Sequence, residues 1–152
     1  MTPGRVSEKV VLAKLAVLQE MLRGISTLPL ASPEEFLLDP RMVAAGESFL
    51  RRAIEALLDL ARHLLAKGFG EVVPEYASLG PSLARRGVVS DTLGDRLRSI
   101  GGYRNRLVHG YEEVTGPELH RILTIHLHDV ADAAEVIRAW LANNPERLDR
   151  QL

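Results

Sequence analysis

A chain of 152 residues with a net charge of −1 and no cysteine has room for one core built by helix packing and none for a second domain, so residues 1–152 read as a single domain. The missing thiols exclude a disulfide framework, cysteine-built zinc sites and thiol catalysis, and the near-neutral charge argues against capture of nucleic acid by the whole surface. The charged start MTPGRVSEKVV and the lack of any apolar run approaching ~18 residues give neither a signal peptide nor a membrane span, which points to a cytoplasmic location.

Apolar residues recur at helical spacing along nearly the whole chain with no alternating strand pattern, so the expected class is all-α. A first helix runs from about Ser7 to Ser26 on the stripe Leu15, Leu18, Leu22 and Ile25, and stops before Leu28-Pro29. Ser32-Pro33-Glu34-Glu35 has the form of a capping box with proline at the first helical position, but Asp39-Pro40 follows so soon that only a turn or two can form. Asp39 then caps a long helix with Phe49, Ala53, Leu57, Leu60 and Leu64 inward, ended by Gly68 and Gly70. Glu55 and Asp59, spaced from Arg51, Arg52 and Arg62 as intrahelical pairs, read as a surface ladder. Pro74 to Gly87, with Gly80-Pro81 in its middle, predicts a short or broken helix. A further helix starts near Ser90 or Asp91. The last runs from Thr115-Gly116-Pro117-Glu118 to Asn143-Asn144-Pro145 with Leu119, Leu123, Val130, Ile137 and Leu141 inward. The economical architecture is an antiparallel up-and-down bundle of four to five helices.

Chemistry concentrates in YRNRLVHGY, Tyr103 to Tyr111. From Arg85 to Arg106 six arginines face two acids, a local excess of four positive charges where an anionic partner could land. Leu93, Leu97, Ile100, Leu107 and Val108 fall within roughly 100° of helical arc, and Arg104 falls in its middle. A guanidinium cannot lose its charge, so an inward arginine demands a carboxylate, a phosphate or a wet cleft. Gly101-Gly102 weakens the same helix by roughly 2 kcal/mol relative to alanine, and marks either a kink or a close approach of backbone to backbone or ligand. His109 stands about 140° around from Arg104, while Asn105, four residues before His109, shares its face and is placed to orient it. Gly110 suits a left-handed helix cap, which leaves His109 in the last turn, where the helix dipole favours its protonated form, and Tyr111 just beyond. His126 reads as a satisfied core or interface residue, and His126 and His128, about 160° apart on a helix, cannot share one metal. No metal site and no cofactor motif is expected.

The arginine, four residues, histidine, one residue and tyrosine of Arg104, His109 and Tyr111 resemble the signature of the HEPN superfamily in its HepT-like branch of small prokaryotic toxins, and the run RNRLVHGY strengthens the match. The resemblance extends over the chain, through RRAIEALLDLARHLL, the proline-led segment, the glycine turn into GVVSDTLGDRLRSI and the final long helix. It implies a helical bundle that forms a homodimer around the motif and acts as a metal-independent ribonuclease. By the same resemblance Arg104 binds the scissile phosphate, His109 acts as acid or base, Asn105 holds the histidine, and a minimal nucleotidyltransferase antitoxin transfers AMP to Tyr111. Arg106 is a further residue for binding the RNA substrate. The alternative is a non-catalytic binding module for such a partner, which loss of the motif arginine or histidine would favour; this chain retains both.

Overall fold

Five of the helices begin where a side-chain oxygen accepts one of the unpaired N–H groups of the first turn. The computed structural model describes residues 4–109 and 113–151, so the expected cap at Gly110 and the position of Tyr111 lie outside the described residues. Helix α1 (Glu8–Ser26) starts on Ser7, whose Oγ accepts the Val10 N–H at 3.3 Å. The short α2 (Pro33–Leu38) starts on Ser32, which caps Glu35, and α3 (Pro40–Phe69) on Asp39, whose carboxylate accepts the Arg41 N–H at 3.0 Å. Gly70, with φ 67°, closes α3 in the left-handed conformation that glycine adopts without a Cβ penalty. Gly68, expected to share that role, is instead buried in the last turn, where a Cβ would press on Val6.

The segment around Gly80-Pro81 holds together as one helix, α4 (Tyr76–Arg85), and α5 (Asp91–His109) follows from Ser90, whose Oγ accepts the Leu93 N–H. Thr115 caps α6 (Gly116–Arg121), which passes through a π turn at Ile122–His126 into α7 (Leu127–Asn143). Among the described residues these make six helical runs: the five expected and the brief α2. The only strands there are β1 (Val6–Ser7) and β2 (Leu148–Asp149), a parallel pair two residues long that fastens the two ends of the chain and leaves the class all-α.

Helix α3 is the centre, with Leu50, Ala53, Leu57, Leu60 and Leu64 buried, and Phe49 only half-buried against them. Successive contacts climb along α1 as they descend along α3. Gly24 abuts Phe49, Lys14 pairs with Asp59, and the Ser7 N–H donates to His63 Nε2 at 3.0 Å, so α1 and α3 run antiparallel. The α1 stripe is rotated slightly from expectation: Val11, Leu18, Met21 and Ile25 are buried, while Leu15 and Leu22 lie at its margin. All five inward residues expected from Leu119 to Leu141 are buried. Of the α5 stripe, Leu93, Leu97 and Ile100 are buried and Leu107 half-buried, but Val108 is exposed, because the helix leaves the core before its last turn.

Helices α4 and α5 pack backbone against backbone, and glycine makes that possible. A Cβ on Gly80 would overlap the Gly94 carbonyl oxygen and stand 2.6 Å from Leu97 Cβ, and one on Gly101 would stand 2.9 Å from backbone atoms of Tyr76 and Ala77. Gly101 therefore answers to close packing, whereas a Cβ on Gly102 meets nothing within 4 Å. Gly80→Ala is expected to lower stability by roughly 1–3 kcal/mol through overpacking, while Gly102→Ala is neutral or stabilising by up to about 1 kcal/mol through helix propensity. Urea unfolding of the two variants checks the contrast, and equal effects would contradict it.

Candidate functional site

Arg104 projects from the core face of α5 into the angle between α3 and α4. Its Nε donates to Glu55 Oε1 of α3 at 3.3 Å, and its Nη1 makes a long bond of 3.4 Å to Asn105 Oδ1. The guanidinium carbon also lies 4.4 Å from the centre of the Tyr76 ring at the start of α4. The arginine side chain is 18% exposed and that of Glu55 24%, so the pair is sheltered without being sealed. Those contacts use part of a five-donor guanidinium, which keeps hydrogen-bonding capacity for an anion.

Tyr76 is itself fixed. Its hydroxyl donates to Asp59 Oδ1 at 3.0 Å, and Arg62 lies over the same ring at 4.5 Å while holding the Val73 and Pro74 carbonyls. Burial, and then the bond to Asp59, push the Tyr76 hydroxyl above its ordinary pKa, so it stays a neutral donor. Glu55 does belong to an intrahelical ladder, through Arg51 at 3.3 Å, but it also reaches across to Arg104. The inward arginine thus has an interhelical carboxylate partner.

His109 is the last residue of α5 and is exposed. Asn105, on the preceding turn, contacts Arg104, which connects the arginine to the residue expected to orient the histidine. Arg106, expected at the substrate, grips Glu118 with both arms, Nη1 to Oε1 at 2.6 Å and Nη2 to Oε2 at 2.9 Å, and also donates to the Glu113 carbonyl. It spans the connection that carries Tyr111. The positive excess on Arg85–Arg106 is largely answered by the fold, since five of the six arginines pair with Glu71, Asp129, Asp95, Glu55 and Glu118. Among the described residues one grouping brings metal-type ligand atoms together, His128, Asp129 and Asp132, within 4.8 Å of one another; there Asp129 is engaged by Arg96 at 3.1 Å. No helix of the described residues is long and apolar enough to cross a membrane.

The sequence profile described as "Ribonuclease HepT-like" matches residues 17–137, from the middle of α1 to near the end of α7. The chain belongs to the ribonuclease HepT-like family. Its similarity to the Shewanella oneidensis protein named "mRNA nuclease HepT" is 28% identity over 90 residues, 59% of this chain and 68% of that protein. The fold resembles a tri-AMPylated Shewanella oneidensis HEPN toxin solved in complex with MNT antitoxin, with TM-score 0.78 at 23% identity over 86% of this chain and 97% of that one. It also resembles YutE of Bacillus subtilis, described as a cytosolic protein of unknown function, with TM-score 0.77 at 20% identity over 92% and 94% of the two chains.

In this HepT-like chain the partners of Arg104 were beyond sequence reasoning. Glu55 is 49 residues away and already accounted for by Arg51, and Tyr76 opens a helix that the sequence marks only as short or broken. Glu118 was legible only as the glutamate of a capping box, three residues after Thr115, yet it also anchors Arg106. The hydrogen bonds from Arg106 hold the Glu118 carboxyl below its ordinary value of 4.5, with burial opposing. A depressed carboxylate contributes stability that is complete above the unfolded value and lost as pH falls through the folded one. Wild-type protein should therefore lose melting temperature relative to Glu118→Gln as pH drops below 4.5, with the wild-type advantage present at neutral pH shrinking in acid. A gap between the two melting curves that stays constant down to acid pH would contradict this.

Proposed function

We propose that the chain is a metal-independent endoribonuclease toxin, held in check by a minimal nucleotidyltransferase antitoxin that transfers AMP to Tyr111. The observation that carries the reading is Arg104, a permanent charge placed on the inward face of α5 and held by Glu55 and Tyr76, in a family-matched chain that keeps the motif histidine. A stability role alone gives little reason for that charge, because replacing a buried ion pair by apolar side chains is often neutral or stabilising.

In the proposed reaction the 2′-oxygen attacks the adjacent phosphorus, a P–O2′ bond forms and the P–O5′ bond breaks. His109 takes the 2′-hydroxyl proton while water protonates the leaving 5′-oxygen, or water takes the first proton and His109 delivers the second, and Arg104 donates to the non-bridging oxygens as their charge grows. Asn105 holds the two groups in register. Arg106 acts as a positioning residue through Glu118 and the Glu113 carbonyl. The tri-AMPylated HEPN toxin among the structural relatives supports AMP as the modifying group, and the motif resemblance assigns it to Tyr111. An added nucleotide beside Arg104 and His109 would occupy the substrate's place and repel RNA. The active unit is a cytoplasmic homodimer, because side chains about 140° apart on one regular helix converge on a phosphate more readily across a two-fold axis.

Purified protein should cleave RNA in the presence of a chelator. Arg104→Ala and His109→Ala should each lower that rate by roughly 10²-fold or more with the helical circular dichroism retained. Undiminished cleavage by both variants would place the activity elsewhere; no cleavage by wild type would favour the non-catalytic module, with Arg104 as a structural ion pair. Co-expression with the partner nucleotidyltransferase should add AMP to the wild-type chain and not to Tyr111→Phe, as read by intact mass. An unmodified wild-type chain beside an active partner would refute the regulatory part.

A further inference from the structure

A cleft of about 390 Å³ opens between α5 and the π turn, away from the Arg104 contacts, and the motif leaves it unexplained. Arg96, Ser99 and Tyr103 line it from α5, and Ile125, His126 and Asp129 from the facing run. The three α5 residues are spaced i, i+3 and i+7, which puts them on one helix face over about 10 Å of its length. Tyr103 directly precedes Arg104 and stands about 9 Å along the axis from His109, a separation that a short stretch of single strand covers.

Three features set the cleft apart from ordinary packing. The Tyr103 and His126 rings are both half-buried, with centroids 6.4 Å apart and planes tilted by 38°, and they border open space. Asp129, a buried carboxylate, accepts from Arg96 Nη1 at 3.1 Å and lies 3.3 Å from His128 Nε2, so it fixes the arginine by one arm while that side chain stays 51% exposed. The π turn, a backbone form often found at functional sites, leaves Ile125 54% exposed at the rim. An anchored, half-exposed arginine beside two conjugated rings and an uncovered aliphatic side chain matches the chemistry of a nucleotide: phosphate to the guanidinium, base to the rings.

We infer that this cleft is a subsite for a nucleotide flanking the one that is cut, its base stacked on Tyr103 and His126 and its phosphate bound by Arg96. The inference rests on the RNA-cleaving reading, and it assigns strand affinity to residues outside the Arg104–His109 pair. Stacking on a ring face is available to every base, so the subsite contributes affinity with little sequence preference.

The test is the affinity of the full chain, with chelator present, for a fluorescein-labelled 2′-O-methyl oligoribonucleotide, which cannot be cut by 2′-oxygen attack. Tyr103→Leu should weaken binding roughly tenfold, within the range of one base–aromatic stack, and raise KM similarly on cleavable RNA without lowering kcat. Tyr103→Phe, which restores the ring, should recover the affinity. If Tyr103→Leu loses its helical spectrum, His126→Leu on the opposite wall carries the same expectation. Wild-type affinity in the folded leucine variant overturns the subsite, as does a change of oligomeric state in place of affinity, which would give the cleft to a contact between copies. Wild-type cleavage with KM unmoved by Tyr103→Leu removes the subsite and leaves the ribonuclease reading. Binding with the expected variant pattern but no cleavage does the reverse, and a wild-type chain that binds no strand overturns both.

Discussion

A guanidinium that cannot shed its proton points inward from α5, and the neighbouring helices are arranged around it. Arg104 is met by Glu55 from α3 and by the Tyr76 ring from α4, so three helices are tied at one side chain. Removing one partner of a buried pair costs roughly 3–5 kcal/mol, although the intact pair contributes little net stability against an apolar substitute. The pair here is only partly buried, which lowers both figures. What the arrangement secures is position: the arginine has one carboxylate and one ring face to lie against, and in the proposed reaction that ordering in advance would remove its entropy from substrate binding.

The close approach of α4 to α5 is the condition for this arrangement. Tyr76 reaches Arg104 because Gly101 has no Cβ to hold the start of α4 away, and Gly80 and Gly94 let the two backbones touch further along. Asp59 then fixes the tyrosine hydroxyl, and Arg62 covers the ring while binding the carbonyls that lead into α4. Local glycine content, helix spacing and the posture of one side chain form a single chain of cause.

The helices were legible because their signals are local: serine, threonine and aspartate caps, prolines in first turns, Gly70 at a C-terminus and apolar residues at 3.6 spacing. Arg104 was legible as an anomaly for the same reason, since phase along one helix needs no tertiary information. Its partners were not. Glu55 satisfies an intrahelical rule with Arg51 and so concealed its second bond, and nothing near Tyr76 marks it as a platform for two guanidinium groups. The difference between Gly101 and Gly102 depends on what stands opposite, and Val108 fails as a core residue because α5 outruns the helices that cover it. The π turn likewise escapes a reading that assumes 100° per residue throughout.

Arg104 is held toward α3 and α4, whereas His109 ends α5 exposed, and the proposed site joins the two across a second copy of the motif. Subunit exchange between Arg104→Ala and His109→Ala chains tests this most directly, each being inactive alone. If arginine and histidine act across a two-fold axis, half of randomly formed dimers are mixed and each keeps one of its two sites, so cleavage should return to about a quarter of the wild-type level. Verified exchange with no recovered cleavage would contradict the shared site.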